Sequence, residues 1–275
     1  MPRFAPLSSS AQTSYAQLLD AVHGAELTRT VANLRGTFAR KNVRGREYWY
    51  FQYTKTSGKV RQVYVGPKSE RVQALIDTHA AGGALHALEA LARSSAALGN
   101  APVLARHFKV VQRLADYGFF RAGGVLVGTH AFLTFGNMLG VHCYDGQRTQ
   151  DVDFAHAGKQ LAIALPKDVE IDTHAAIDSL QMGLLPIQHL DGTTGATYLD
   201  PRDPEFRLDF LTPLHRGGNA LFRHPQLGIK LQPLKFMEYL LQDVQQAALF
   251  TAAGQTLWLR LMHHWPLAGP ARAKA

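Results

Sequence analysis

Apolar residues recur along this chain in two rhythms, one helical and one alternating, and the change between them marks its elements. Between Ser8 and about His23, Tyr15, Leu18, Leu19 and Val22 fall on one face at helical spacing, with Ser8, Ser9 and Ser10 as candidate caps. A second short helix is expected over 26–34, stopping at Gly36. Two β-prone runs around Thr56-Ser57-Gly58 then predict a β-hairpin over 45–66, ended by Gly66-Pro67. Residues 69–98 read as an Ala-rich helical stretch split at Gly82-Gly83, 99–102 as a turn, and 103–117 as another helix.

The pattern changes after that. Residues 122–128 read as a buried strand ending in glycine and 130–139 as a helix. A strand at 151–155, a helix at 170–182, strands at 184–190, 196–200 and 205–211, and a helix at 234–241 follow. Strands alternating with helices, the later strands adjacent and antiparallel, predict an α+β fold. The expected division is a helical region with its hairpin over 1–100, an α+β domain over 101–245, and an atypical tail over 246–275.

Composition narrows the class. With 46% hydrophobic residues among 275, the chain can build a core, which excludes global disorder. No apolar run approaches the roughly 20 residues of a membrane helix, and the first residues lack a signal-peptide pattern. The lone Cys143 cannot form an internal disulfide, which fits a cytoplasmic location.

Charge adds a partner. The net charge is +8, and residues 1–68 alone hold eleven Lys/Arg against three acids. All the excess positive charge therefore lies in the first quarter, which suggests RNA or DNA as a partner there. Arg40, Lys41, Arg44, Arg46, Lys59 and Arg61 are the candidate contacts. The aromatic residues between them either stack bases or pack on neighbouring helices.

Candidate chemistry centres on Arg148-Thr149-Gln150-Asp151-Val152-Asp153-Phe154. On a strand, residues i and i+2 share a face, so both acids project together while Val152 and Phe154 enter a core. A cation between them would relieve their repulsion, and Mg²⁺ takes oxygen ligands; a solvated loop pair is the plainer alternative. Gly128-Thr129 stands where a strand becomes a helix, suited either to a phosphate or to simple capping. Asp209 shares a strand face with Arg207, opposite Phe206, Leu208 and Phe210. Arg148 and Arg207 can clamp a triphosphate or form salt bridges with the acids. The 13 histidines show no zinc-type spacing.

Gly-Thr opening a helix, Asp-x-Asp on a strand and a third Asp on a later strand, in that order, resemble the DNA polymerase beta-type nucleotidyltransferase superfamily. Within it, the chain is similar to a bacterial family named only for its nucleotidyltransferase fold, related in layout to abortive-infection-type nucleotidyltransferase toxins. The resemblance implies a polymerase beta-type core, a mixed sheet with flanking helices. It further implies that Gly128 and Thr129 contact nucleotide phosphates. Asp151, Asp153 and Asp209 would hold Mg²⁺ (or Mn²⁺), with Asp209 helping to deprotonate an acceptor hydroxyl. Two departures are visible: Gly-Thr stands for the superfamily's Gly-Ser, and the long gap to Asp151 implies an inserted loop over 136–147. Members generally continue into a larger helical region, so this chain is expected to stop early. The implied function is nucleotidyl transfer from an NTP to an acceptor hydroxyl, RNA among the candidates. The alternative is a nucleic-acid-binding module on a catalytically lapsed fold of the same kind.

Overall fold

Tyr15, Leu18 and Val22 are buried along one side of the first helix, as their spacing predicts. The computed structural model describes residues 4–27, 36–54, 60–80, 85–143, 149–157, 171–188, 194–214 and 220–262. A short strand β1 (Phe4–Pro6) leads to this helix, α1 (Ser9–Leu27), whose first turn is capped by the Ser8 hydroxyl accepting from the Ala11 N–H at 3.2 Å. The short helix expected over 26–34 is met only at its start, inside α1; 28–35 lie outside the described residues.

Three strands follow, β2 (Thr37–Val43), β3 (Arg46–Thr54) and β4 (Val60–Pro67), forming an antiparallel sheet in that order. The predicted hairpin is therefore the second half of a larger unit. The basic stretch before it is itself a strand, turning back through Arg44 (φ 53) and Gly45 (φ 79) so that Val43 faces Arg46. Two consecutive positive φ values are what a two-residue hairpin turn needs to match strand twist. The charged run hid a strand that its pairing partner, not its own hydrophobicity, stabilises.

Next come α2 (Glu70–Ala80), α3 (Leu85–Ala97) and α4 (Ala105–Asp116). Strand β5 (Val125–Val127) runs into α5 (Gly128–Leu139), followed by β6 (Val141–Cys143) and β7 (Val152–Ala155). Strand β6 pairs with β1, so most of the expected insertion over 136–147 is the end of α5 and a strand; 144–148 lie outside the described residues. The remainder comprises α6 (Thr173–Asp178), β8 (Leu185–Gln188), β9 (Thr194–Asp200), β10 (Asp203–Pro213), β11 (Phe222–His224), β12 (Ile229–Leu234), α7 (Met237–Leu240), β13 (Gln245–Phe250) and β14 (Thr256–Leu261). The helix expected over 234–241 is only the short α7. The strand before it exists because Ile229, Leu231 and Pro233 alternate into the core.

Among the described residues the main sheet runs β11-β12-β10-β7-β5-β14-β13, with β9 also on β10 and β8 on β9. Pairs β10–β7, β10–β12 and β14–β5 are parallel; β5–β7 and β13–β14 are antiparallel. The fold is thus α+β with a mixed sheet. Residues Val152, Phe154, Leu208 and Phe210 are fully buried, and the Phe154 and Phe210 rings stack at 5.2 Å with Phe119 edge-on to both. Burial of such a ring stabilises the fold by about 1.5–3 kcal/mol. A second cluster joins Tyr15, Leu18 and Val22 of α1 to Leu88 and Ala92 of α3 and Ala248 and Phe250 of β13, where the Tyr15 hydroxyl donates to the Ala248 carbonyl at 3.0 Å. The division expected at 246 therefore cuts through the sheet: its supposed tail supplies two strands, and β14 sits directly beside β5. Among the described residues no helix is long and apolar enough to cross a membrane.

Candidate functional site

The site is built where β5, β7 and β10 lie side by side. Burying Val152 and Phe154 of β7 and Leu208 and Phe210 of β10 turns the residues between them to the opposite face. Those residues are Asp153 and Asp209, which are register partners across the parallel pair. Asp151 stands just ahead of β7, on the same side by alternation. Ligand oxygens of Asp151, Asp153 and Asp209 all lie within 4.8 Å of one another. One strand register thus brings Asp209, distant in sequence, to the neighbouring pair Asp151 and Asp153.

On the other side of β7, Val127 of β5 is the register partner of Asp153, and the next residue is Gly128. Gly128 adopts φ +67, and a Cβ there would collide with the Asp153 carboxyl group, 2.8 Å from its Cγ. Helix α5 begins at this contact with Val127 as its cap residue, which offers no side-chain hydrogen bond. Thr129 therefore lies inside the first turn and does not cap it. The first-turn N–H groups carry the positive end of the helix dipole beside the three acids.

Two hydroxyls orient the carboxylates. Thr197 of β9 donates to Asp209 Oδ1 at 2.6 Å, and Thr149 donates to Asp151 Oδ1. Neither was singled out from sequence, although Thr197 alternates with buried Tyr198 and pairs with Asp209, so its face was readable once β9 and β10 were aligned. Arg207, two residues before Asp209, lies 3.3 Å from Asp209 Oδ2 and 3.7 Å from Asp151 Oδ2, and its side chain is 52% exposed.

Burial, followed by repulsion from Asp151 and Asp209, pushes the Asp153 carboxyl up to about 7. Asp151 goes the other way: burial works against it, but the Thr149 hydroxyl, its own N–H, Arg207 and His130 together hold it below the usual carboxylate range. An all-oxygen set containing one carboxyl that cannot readily ionise beside two others fits a hard divalent cation, which would relieve that repulsion.

A buried histidine pair borders the site. His130, in the first turn of α5 and 2% exposed, shares a 2.8 Å hydrogen bond with His107 of α4. Burial holds both rings neutral, His107 down to about 3 (His130 and Arg106 adding to it) and His130 down to about 4 despite the pull of Asp151. His107 also stacks on Phe206 at 5.4 Å. No local spacing links positions 107 and 130; only tertiary packing does.

The other expected residues are elsewhere. Arg148 and Lys59 lie outside the described residues. Arg40 is held by Glu47 at 2.9 Å, Lys41 lies 4.6 Å over the Tyr50 ring, Arg44 forms the β2–β3 turn, and Arg46 and Arg61 are exposed. All five belong to the three-stranded sheet.

A family model described as Nucleotidyltransferase matches residues 105–263, a span that contains β5 to β14 and every residue of the acidic site. A second, described as a domain of unknown function (DUF6788), matches residues 15–74. No curated protein and no solved structure matches the chain.

Proposed function

The chain belongs to this nucleotidyltransferase family, and from that premise we propose that it moves a nucleotidyl group from an NTP to an acceptor hydroxyl on a polymerase beta-type core. The observation that carries the proposal is the convergence of Asp151, Asp153 and Asp209 beside the helix that Gly128 opens. Those three carboxylates would hold Mg²⁺ (or Mn²⁺). Such an ion, when bound, neutralises phosphate charge and lowers the pKa of a coordinated hydroxyl.

The chain's own residues do the rest. Gly128 lets the Asp153 carboxyl group seat against the start of α5, whose first-turn N–H groups would meet triphosphate oxygens. Arg207 is exposed enough to leave the acids and pair with the same triphosphate. Thr149 and Thr197 hold the outer carboxylates in orientation. In the reaction, the acceptor oxygen bonds to the α-phosphorus, the α–β anhydride bond breaks, and pyrophosphate leaves with the bonding electrons. The hydroxyl proton passes to Asp209.

Labelled NTPs, Mg²⁺ or Mn²⁺, and pooled RNA, protein and small-molecule acceptors test this. Wild type should label an acceptor and release pyrophosphate, while Asp151→Ala and Asp153→Ala should not. Label transfer unchanged in both variants, or absent from wild type with every acceptor pool, would overturn it.

A further inference from the structure

The three-stranded sheet β2-β3-β4 sorts its aromatic residues onto two faces. Phe51, 1% exposed, meets Phe38 and the His79 ring of α2, so that face is packed. His79 Nε2 donates to the Gly36 carbonyl at 2.9 Å and ties the helix to that side. Alternation turns Tyr48 and Tyr50 of β3 to the other face, where both meet Tyr64 of β4, at 6.2 and 5.5 Å between centroids. Tyr64 is 53% exposed.

Charge on this unit is almost all of one sign. Residues 37–68 contain eight Lys/Arg and a single acid, Glu47, which Arg40 and Lys68 already neutralise at 2.9 and 3.4 Å. Lys41 lies 4.6 Å over the Tyr50 ring, and Arg46 shares the tyrosine face by its position two residues before Tyr48. An apolar partner would find cations here, and an acidic peptide would find rings it cannot use. A strand of unpaired bases uses both: rings stack bases and cations hold phosphates.

We propose that the open face of this sheet, built on Tyr48, Tyr50 and Tyr64 with Lys41 and Arg46, binds single-stranded nucleic acid. Stacking requires bases not already stacked in a duplex, so the face selects single strands. The surface is independent of the acidic site and would bind without metal or NTP.

Fluorescence anisotropy on the full chain, in EDTA and without NTP, tests it with labelled single-stranded RNA, single-stranded DNA and duplex DNA of about 16 nucleotides, the upper end of what one single-strand-binding OB fold covers. Both single strands, or RNA alone, should bind more tightly than the duplex, with affinity falling steeply as salt rises. Tyr64→Ser should weaken single-strand binding about tenfold, while Tyr64→Phe retains it. Lys41→Gln with Arg46→Gln should flatten the salt dependence. Asp153→Asn should leave binding intact, which separates this proposal from the transferase reading. No single-strand binding at low salt, equal affinity for duplex, equal affinity for poly-glutamate, or binding indifferent to Tyr64→Ser would overturn it.

Discussion

The carboxyl group of Asp153 occupies the space that a side chain at Gly128 would need. Gly128 opens α5 directly after β5, and Asp153 lies on the neighbouring strand β7, opposite Val127. Gly128→Ala should cost about 1–2 kcal/mol for the positive φ alone, and more because Asp153 must move. Transfer activity and divalent-cation binding should fall together, by more than stability does. Titration calorimetry with Mn²⁺ beside thermal unfolding checks this; a fully stable variant with wild-type Mn²⁺ affinity refutes the contact.

Asp153 makes the cation-free protein weaker at high pH. An acid whose folded pKa is raised, here from 3.8 to about 7, holds its proton more tightly when native. Its contribution is therefore most favourable below about pH 4 and declines as pH rises toward 7, by on the order of 4 kcal/mol. Asp153→Asn should raise the melting temperature in EDTA at pH 8 and have little effect near pH 4. Mg²⁺ should stabilise wild type more at pH 8 than at pH 5.5, and Asp153→Asn hardly at all.

The pair His107–His130 acts in the opposite direction. Both folded pKa values lie below the ordinary 6.5, so the native state excludes protons that the unfolded chain accepts. Their stabilisation is complete above pH 6.5 and is lost as pH falls toward about 4. His130→Asn should give a shallower acid limb in a plot of stability against pH, even where its stability at pH 7.5 is reduced. An unchanged acid limb would show that the rings titrate freely.

Arg207 competes with a cation for Asp151 and Asp209. Arg207→Gln should tighten Mn²⁺ binding severalfold by removing a positive charge beside the ligands, and raise the KM for NTP by removing a phosphate partner. Calorimetry and steady-state kinetics measure the two effects separately. Weaker Mn²⁺ binding in the variant would make Arg207 an organiser of the acids instead.

Removing residues 246–275 should abolish folding rather than trim a tail. The deletion exposes β5 along the edge where Leu126 meets Leu261, and strips Ala248 and Phe250 from the Tyr15 cluster. Circular dichroism and soluble yield are the measurements; a folded, soluble product would refute the placement of β14.

Much of the site was legible because strand alternation is local. Asp153 between Val152 and Phe154, and Asp209 between Leu208 and Phe210, announce their faces within five residues. Gly128 was legible because a glycine ends a short apolar strand. What could not be read depended on partners distant in sequence. The register that aligns Asp209 with Asp153 is parallel and far from local. Strand β14 does alternate, with Leu257, Leu259 and Leu261, but nothing nearby says that it inserts between β5 and β13. The basic run over 40–46 hid a strand, since its pairing with β3 outweighs its composition.

The place of β14 also sets when the site can exist during synthesis. Leu126 emerges from the ribosome long before its neighbour Leu261. Until then β5 presents a bare apolar edge, the kind of edge along which chains associate wrongly. The acids and the glycine can be complete in a nascent chain, yet the outer neighbour of β5 waits for Leu261. The acidic site can therefore be fully translated while the edge of β5 beside it is still unpaired.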